Sequence, residues 1–284
     1  MSDAKPPFLS DALPPQFVEA LAIRAHRLSR LARSPIFFET IGSTNDVAAA
    51  LASDGENEGA LVIADAQTAG RGRRGRTWFS PPGAGLYVSV VLAPARAASD
   101  PERATTLLTI AAGVALAEAV ETATGLRSSI KWPNDLLFEG RKLAGILAEG
   151  VVATGTSMVR SVVLGFGINV SPAAYPPELR DRVTSLETEL GRPIDRAVVC
   201  AEALACLSRR YDDLLAGDFD AILDAWRARA FGHRGARVEW DTPAGTRSGI
   251  TEGVDRMGAL LVRTGESLER LVAGEVRWDL QSRR

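Results

Sequence analysis

The stretch Gln67-Thr-Ala-Gly-Arg71-Gly-Arg-Arg-Gly-Arg76-Thr-Trp-Phe-Ser80 is the segment around which the rest of the chain is organised. Four arginines fall within six positions, and glycines separate them. Arginine presents a fixed fork of donors that suits phosphate and carboxylate, and it stays charged at any working pH. Glycine lets the backbone approach a ligand and turn its N–H groups toward an anion. The pattern predicts an anion-binding loop, and a solvated basic patch is the alternative.

Composition limits the class of protein. The 284 residues are 46% hydrophobic and 24% charged, with a net charge of −2, which is typical of a soluble globular chain of one or two domains. Broad nucleic-acid binding depends on a large basic field, so this charge argues against it. No apolar run approaches the roughly 20 residues of a membrane span, and the N-terminus lacks a signal-peptide pattern. We therefore expect a cytoplasmic protein.

Lysine is rare in this chain, and its placement is uneven. Of 33 basic residues three are lysines, and two of these, Lys131 and Lys142, lie within twelve positions of each other. An ammonium is a compact point charge, for which a guanidinium does not substitute. Chance is the alternative explanation. Cys200 and Cys206 fall on different faces of a predicted helix, so we expect no disulfide, and two distant histidines give no support for a zinc site.

The hydrophobic periodicity predicts a mixed α+β fold. An amphipathic helix over roughly 16–33, with Val18 and Leu21 on its apolar face, precedes the first strand. We predict further helices at 44–52, 100–124, 195–215 and 218–230, and strands at 36–41, 60–66, 85–92, 129–132, 136–138, 143–149 and 159–164. Gly165–Val170 is predicted to be a glycine-bearing turn. From Gly235 onward, short strands with frequent turn signals predict a small β-barrel, with strands at 237–240, 247–254, 259–263, 268–272 and 275–280.

The familiar nucleotide-binding motifs do not explain the arginine stretch. Gly70-x-Gly72-x-x-Gly75 formally matches the dinucleotide fingerprint, but the prolines that follow Ser80 prevent the helix that the fingerprint requires. The chain has no Walker A sequence and no nucleophile-elbow motif. What remains is a set of polar segments that follow predicted strands and can converge on one edge of a sheet. These are Ser43–Asn45, Gln67 with the arginine stretch, Lys131–Asp135, and Gly165-x-Gly167-x-Asn169.

The motifs in this order resemble those of a bacterial biotin–protein ligase. The similarity covers about Phe37 to Leu280. It rests on Gly70–Trp78, Lys131-Trp-Pro-Asn-Asp135, Arg141-Lys-Leu-Ala-Gly-Ile-Leu147 and Gly165-x-Gly-Ile-Asn169. The resemblance implies a two-step reaction, in which biotin and MgATP give biotinyl-5′-AMP and pyrophosphate. The adenylate then acylates one lysine of a biotin carboxyl carrier protein.

The resemblance also implies a fold and a domain organisation. The catalytic domain would have the mixed sheet of lipoate ligases and class II aminoacyl-tRNA synthetases. An SH3-like barrel would follow it. We expect an N-terminal extension with one helix at 1–35, a biotin- and ATP-binding catalytic domain at 36–232, and the SH3-like domain at 233–284.

The residue roles that the resemblance implies are as follows. Lys131, Arg71 and Arg73 would be catalytic. The biotin-binding residues would be Ser43, Thr44, Asn45, Gln67, Gly70, Arg71, Gly72, Arg73, Lys131, Gly165 and Gly167. The nucleotide-binding residues would be Arg73, Arg74, Arg76, Trp78, Lys131, Asn134 and Asn169. Mg²⁺ would arrive with ATP, so no metal ligand is named. Trp226, Trp240 and Trp278 are predicted to be core residues.

Several alternatives follow from the same residues. A lipoate–protein ligase is the rival enzyme, and a nucleic-acid-binding, biotin-responsive regulator is the rival from another class. About 35 residues precede the similarity, too few for a three-helix DNA reader, so we expect no DNA binding. The partner would be a carrier domain of a biotin-dependent carboxylase, and the ligase would be a monomer or a homodimer. The arginine stretch would be a lid that ligands order, keeping water from the reactive adenylate.

Overall fold

The computed structural model describes residues 9–32, 34–52, 57–152 and 159–278. Within these ranges the chain forms one seven-stranded mixed sheet and one five-stranded antiparallel sheet. The mixed α+β fold predicted from periodicity is confirmed. The last two residues of the strand predicted at 275–280 lie outside the described ranges.

The large sheet contains the first seven strands of the chain. They are β1 (Pro35–Ile41), β2 (Leu61–Gln67), β3 (Gly85–Leu92), β4 (Ser129–Lys131), β5 (Asp135–Phe138), β6 (Arg141–Val152) and β7 (Val159–Asn169). Their order across the sheet is β1-β2-β3-β7-β6-β5-β4. β1 and β2 are parallel, and the other neighbouring pairs are antiparallel. In the centre of the sheet β3 therefore pairs with β7, which comes four strands later in the sequence, and β7 pairs with the preceding strand, β6.

β7 continues through the segment that the sequence predicts to be a turn. Gly165 and Gly167 pair with β3 on one side and with β6 on the other, and the pairing with β3 is continuous. The turn prediction is wrong, because apolar residues at every second position (Leu164, Phe166 and Ile168) are buried in the core. A strand with one apolar face is the arrangement that this alternation favours. The glycines alternate with these residues and lie on the opposite face.

Seven α-helices surround the large sheet in the described residues. They are α1 (Pro15–Ile23), α2 (Thr44–Ala52), α3 (Pro101–Thr124), α4 (Pro177–Arg180), α5 (Leu186–Leu190), α6 (Arg196–Ala216) and α7 (Phe219–Arg227). α3 begins at Asp100, whose side chain accepts a hydrogen bond from the Arg103 backbone N–H at 2.9 Å. It ends at Gly125, which takes a left-handed φ of 79°. Such capping at both ends explains why its bounds were predictable from sequence.

The N-terminal helix is shorter than predicted and buries a different face. α1 ends at Ile23, and a 3₁₀ turn at Ala25–Arg27 follows it. Phe17, Ala20 and Leu21 are buried, whereas Val18 is 51% exposed. Phe17 packs against Phe37 of β1, with ring centroids 6.4 Å apart. This aromatic contact sets the rotation of the helix and overrides the face predicted from periodicity.

The two faces of the large sheet are covered differently. Residues of α1, α3, α6 and α7 form the main core with one face, and α2 covers part of the other face with a smaller apolar cluster. β2 shows the alternation, since Leu61 and Ile63 belong to the main core while Val62 and Ala64 belong to the smaller cluster. On the face of the large sheet that α2 partly covers, the remaining area lies next to the loops that follow the strands.

One helix of the described chain, α3, is long and apolar enough to cross a membrane by length and composition. The sequence analysis did not find such a run. In the structure 72% of its most apolar window is buried inside the protein. It packs against α6 and the sheet as the central helix of the core.

The small sheet follows the last helix. Its strands are β8 (Arg234–Thr242), β9 (Gly245–Val254), β10 (Leu260–Thr264), β11 (Ser267–Leu271) and β12 (Val276–Trp278), and their order is β11-β10-β9-β8-β12. Two contacts tie this sheet to the large one. The Trp132 indole N–H donates to the Gly258 carbonyl at 2.9 Å, and Arg76 forms an ion pair with Glu275 at 2.6 Å. The small sheet therefore lies against the loops that carry the predicted site.

Candidate functional site

A cavity of about 410 Å³ lies where the strand-following loops meet. Its lining comes from the start of α2, the arginine stretch, the segment after β4, the middle of β6 and β7, and the end of the small sheet. All but one of the predicted site residues line it: Ser43, Thr44, Asn45, Gln67, Arg71, Gly72, Arg73, Arg74, Arg76, Trp78, Lys131, Asn134, Gly165, Gly167 and Asn169. The structure thus gathers the predicted residues from four separate segments of the chain into one place.

Gly70 is the predicted site residue outside this lining. It lines a neighbouring hollow of about 420 Å³ on the other side of the arginine stretch. Its carbonyl accepts a hydrogen bond from the Trp78 backbone N–H at 2.9 Å, and a Cβ at this position would lie 2.5 Å from the Trp78 carbonyl oxygen. Gly70 therefore closes the base of the loop, and its predicted contact with biotin stays a prediction.

The arginine stretch folds back on itself as a tight loop. The Gly72 N–H donates to the Arg76 carbonyl at 2.7 Å, and Arg71 forms an isolated bridge with Thr77. Arg74 and Gly75 turn the chain with positive φ values of 58° and 72°. Glycine adopts this conformation without steric cost, which accounts for the glycine at position 75. The loop thereby presents several arginines to the cavity from one short hairpin.

Three of these arginines are held by partners on other elements, and one of them is Arg76, which pairs with Glu275. Arg71 contacts Asp46 at 2.9 Å and Glu149 at 3.0 Å. Arg73 donates to the Asn134 side-chain oxygen at 3.1 Å. Burial lowers the pKa of Arg73, the charge of Asp135 opposes that shift, and the guanidinium remains charged at any working pH. The loop is therefore not the loose, solvated basic patch that the sequence left open as an alternative.

The start of α2 presents a neutral polar wall. Gln67 accepts hydrogen bonds from the Thr44 backbone N–H at 2.9 Å and from the Thr44 hydroxyl at 3.2 Å. The Gln67 amide donates to the Ser80 hydroxyl at 3.0 Å. Ser89, which the sequence analysis did not single out, places its hydroxyl 2.6 Å from the Asn45 side-chain oxygen. These uncharged donors and acceptors suit a neutral ring better than an anion.

The strand glycines make room for side chains of the site. A Cβ atom placed on Gly165 would overlap the side chain of Asn45, and one placed on Gly167 would overlap the Trp78 indole. A Cβ on Gly145 of β6 would also lie 2.9 Å from the Trp78 ring. Trp78 therefore packs against a floor of two adjacent strands, which carry glycine at the contact positions. Whether biotin also uses this space stays a prediction.

Two lysines lie on the cationic side of the cavity. The Lys142 ammonium contacts Asp135 at 2.7 Å and lies 5.2 Å from the Trp78 ring centroid. Lys131 lies 5.3 Å from the centroid of the Trp278 ring. Burial lowers the pKa of Lys131, and the charge of Asp135 opposes that shift. Both lysines that the chain keeps in this region thus line the cavity, and the need for an ammonium there stays a prediction.

The two asparagines predicted to bind nucleotide also hold backbone groups. The Asn169 amide donates to the Thr184 carbonyl at 3.0 Å and to the Lys142 carbonyl at 3.4 Å. The Asn134 amide donates to the Ile146 carbonyl at 2.8 Å. Both side chains therefore brace the cavity wall, and a contact with adenine remains a prediction for them.

Several lining residues were missed by the sequence analysis. Trp278 was assigned to the core. It is buried, but it also lines the cavity, whereas Trp226 and Trp240 are buried in the core alone. Glu275 was not singled out either, and an acidic residue in the loop just before β12 carries no local signal. Tyr175 lies in the loop before α4, and burial raises the pKa of its phenol to about 12.

In the part of the chain that the structure describes, no group of three or more His, Cys, Asp or Glu side chains has the geometry to hold a metal ion. Among the described residues the cavity lining includes the carboxylates of Asp135, Asp181 and Glu275; Asp135 is paired with Lys142, and Glu275 is paired with Arg76. The site offers cations and neutral polar groups rather than a preformed cage of acidic ligands.

Comparison with known proteins gives consistent results. The sequence model of the biotin/lipoate A/B protein ligase family matches residues 37–169. A bifunctional ligase/repressor BirA of Bacillus subtilis is 39% identical over 243 residues, covering 85% of this chain and 73% of that protein. A biotin–[acetyl-CoA-carboxylase] ligase of Paracoccus denitrificans is 36% identical and covers 82% of this chain and 96% of that protein.

Solved structures resemble the fold as well. The biotin protein ligase of Aquifex aeolicus in complex with biotin and ATP superposes with a TM-score of 0.71, at 28% identity. The similarity covers 87% of this chain and 98% of that one. The match to the family model at residues 37–169 runs from within β1 to the end of β7. From sequence and fold together it follows that this chain belongs to the biotin/lipoate A/B protein ligase family and, within it, to the biotin–protein ligases.

Proposed function

We propose that this protein activates biotin with ATP to biotinyl-5′-AMP and transfers biotin to a lysine of a biotin carboxyl carrier protein. One observation carries the proposal. A single cavity joins a neutral polar wall at Ser43–Asn45 to a cluster of arginines and Lys131. Biotin has a neutral ureido ring at one end and a carboxylate at the other, so its two ends match the two sides of the cavity.

In the first step a biotin carboxylate oxygen attacks the α-phosphorus of ATP, and the bond to the pyrophosphate oxygen breaks. The carboxylate is already a nucleophile, so this step needs no general base. Catalysis then depends on alignment and on neutralising charge at phosphorus. We assign this task to Lys131, Arg71 and Arg73, of which Lys131 would contact the reacting carboxylate and α-phosphate oxygens.

In the second step the carrier lysine attacks the acyl carbon of the adenylate. The bond to the phosphate oxygen breaks, AMP leaves, and the amine loses a proton as the amide forms. The acyl group is already activated, so the lysine must mainly arrive unprotonated and in line. The arginine loop has partners on α2, on β6, in the turn between β4 and β5, and just before β12. It is therefore placed to cover the adenylate between the two steps.

We propose that the neutral polar wall binds the ureido ring of biotin and that the side of the cavity at the arginine loop binds the nucleotide. Ser43, Thr44, Asn45 and Gln67 would contact the ring, with Gly165 and Gly167 beside it. Arg74, Arg76 and Trp78 would contact ATP, together with Asn134 and Asn169. The packing of Trp78 on the glycine floor supports a stacking role, since a flat indole presents a π-face to a base.

Mg²⁺ is part of the proposal as a partner of ATP. The described residues contain no cluster of three or more acidic, histidine or cysteine side chains that could hold a metal ion. This is compatible with a Mg²⁺ ion that is bound mainly by the substrate phosphates, with at most one or two protein ligands. When bound, the ion would neutralise phosphate charge. We assign no protein ligand to it.

The finer features of fold and setting are also proposals. The five-stranded order of the small sheet supports an SH3-like barrel beginning near residue 233, after a catalytic domain of 36–232. The mixed sheet supports a relation to class II aminoacyl-tRNA synthetases. We also propose that the protein is cytoplasmic, that it is a monomer or a homodimer, and that it does not bind an operator. The net charge of −2 supports the last point, and a mobility shift of duplex DNA with a steep salt slope would contradict it.

The experiment that tests the activation step is ATP–pyrophosphate exchange with a series of acids. We expect exchange with biotin and only background exchange with lipoate or octanoate. Exchange that prefers lipoate would replace this proposal with a lipoate ligase, the rival within the same family.

A further inference from the structure

Glu149 lies on β6 behind the cavity wall and joins two residues of that wall. Its Oε2 atom accepts a hydrogen bond from the Asn45 side-chain amide at 2.6 Å and another from the Arg71 guanidinium at 3.0 Å. Asn45 and Arg71 both line the cavity, whereas Glu149 is not part of its lining. One carboxylate oxygen therefore connects the neutral end of the site with its cationic loop.

The same carboxylate fixes the orientation of the Asn45 amide. Asn45 is 4% exposed, and its oxygen faces the Ser89 hydroxyl at 2.6 Å while its nitrogen faces Glu149. An ionised carboxylate only accepts hydrogen bonds. If the amide were rotated by half a turn, its oxygen would face the carboxylate oxygen. Glu149 therefore determines which way Asn45 presents its donor and acceptor.

Arg71 is held from two sides of the site. Asp46, which follows Asn45 in the first turn of α2, contacts the same guanidinium nitrogen at 2.9 Å. The Glu149 side chain is 38% exposed and that of Asp46 is 61% exposed. Water screens the more exposed pair more strongly. Glu149 is accordingly the better anchor of the two, and it alone also contacts Asn45.

We propose that Glu149 is a positioning residue that couples the binding of the biotin ring at Asn45 to the placement of Arg71 in the arginine loop. The inference rests on the proposed function, because it assumes that Asn45 and Arg71 contact biotin. It adds a residue that contacts no substrate and acts through both of them. Removing its charge loosens the loop and frees the Asn45 amide to rotate.

The test measures the dissociation constant of biotin by calorimetry, without ATP, for a double-mutant cycle. The variants are Glu149→Gln, Arg71→Ala and the two combined. Glutamine keeps the shape of the side chain but presents only one acceptor oxygen and no charge. We expect Glu149→Gln to weaken biotin binding by about tenfold, as expected when hydrogen bonds to a charged group are lost. We expect the double variant to be less impaired than the product of the single effects by about threefold or more.

Glu252→Gln is the matched control. Glu252 is also a strand carboxylate with one short arginine contact, to Arg263 at 2.7 Å, and its side chain is 40% exposed. It lies in the small sheet outside the cavity lining, so we expect unchanged biotin binding. Thermal unfolding checks that each variant is folded. If Glu149→Gln does not fold, Glu149→Asp replaces it in the same cycle, because the shorter side chain cannot span both partners.

The outcomes separate this inference from the proposed function. Wild-type protein that does not bind biotin contradicts the proposed function itself. If wild-type protein binds biotin and Glu149→Gln binds it with the same affinity, only the positioning role of Glu149 is overturned. Effects that multiply independently, within about threefold, overturn the coupling between Glu149 and Arg71 on which the proposal depends.

Discussion

The Lys131 ammonium lies 5.3 Å from the centroid of the Trp278 ring. The two residues belong to different sheets, since Lys131 ends β4 of the large sheet and Trp278 ends β12 of the small one. The indole face attracts a cation, and the attraction grows when water is excluded. The small sheet thereby holds in place the ammonium to which we assign the catalytic role.

This contact gives a prediction for Lys131→Arg. The guanidinium is planar and larger than the ammonium, so it cannot occupy the same point between the Trp278 ring and the cavity. We expect ATP–pyrophosphate exchange to fall by about a hundredfold or more, as when a single preorganised charge-stabilising group is lost. The thermal midpoint should change little. Exchange near the wild-type rate would refute the role assigned to this ammonium.

The pH dependence of exchange should report the same residue. Burial lowers the pKa of Lys131 below the ordinary lysine value of 10.5, and Asp135 opposes this shift. The active form is protonated, so activity should fall as pH rises through the lowered pKa, earlier than for an ordinary lysine. Asp135→Asn removes the opposing charge and should move this alkaline limb to lower pH. Pyrophosphate exchange does not involve the carrier lysine, so the limb is not confused with titration of the acceptor. A limb that stays in place or moves to higher pH in Asp135→Asn would contradict the assignment.

Gly167→Ala tests the floor under Trp78. The added Cβ would overlap the indole, so Trp78 must move or the strands must shift, at a cost of about 1–3 kcal/mol of stability. We expect the KM for ATP to rise more than the KM for biotin. Gly42→Ala is the control, since a Cβ there meets nothing within 4 Å. Equal behaviour of the two variants in both assays would show that Trp78 does not depend on this floor.

Limited trypsin digestion tests the lid. Arg71, Arg73 and Arg76 are already anchored to Glu149, Asn134 and Glu275. Phosphate and carboxylate groups would add charge-assisted hydrogen bonds of about 1.5–3 kcal/mol each. We expect cleavage within Gly70–Arg76 to slow when biotin and ATP are both present. Cleavage after the exposed Arg127, outside the cavity lining, serves as the internal reference. Equal rates in the loop with and without ligands would count against gating.

The elements with local signals were predictable from sequence. β3 and α3 have the predicted bounds because a continuous apolar run, a capping aspartate, a proline at the first helical turn and a terminal glycine all act locally. The motifs also predicted most residues of the candidate site, since the segments after β2 and β4 meet over the middle of β6 and β7. Gly165 and Gly167 misled the prediction because their small size serves Asn45 and Trp78, contacts that no local pattern records.

Residues whose role depends on distant partners were not predictable. Glu149 is separated by 104 positions from Asn45 and by 78 from Arg71. Glu275 and Trp278 reach the site only because the small sheet packs against the loops. Their roles become visible only when the strand order and the packing of the two sheets are known.

The most direct test of the account is incubation of the purified protein with biotin, MgATP and a biotin carboxyl carrier domain, followed by mass spectrometry of the carrier. We predict a mass increase equal to one biotin minus one water, located on a single lysine and absent when ATP is omitted. An unmodified carrier, under conditions in which a known biotin ligase modifies it, would contradict the central claim.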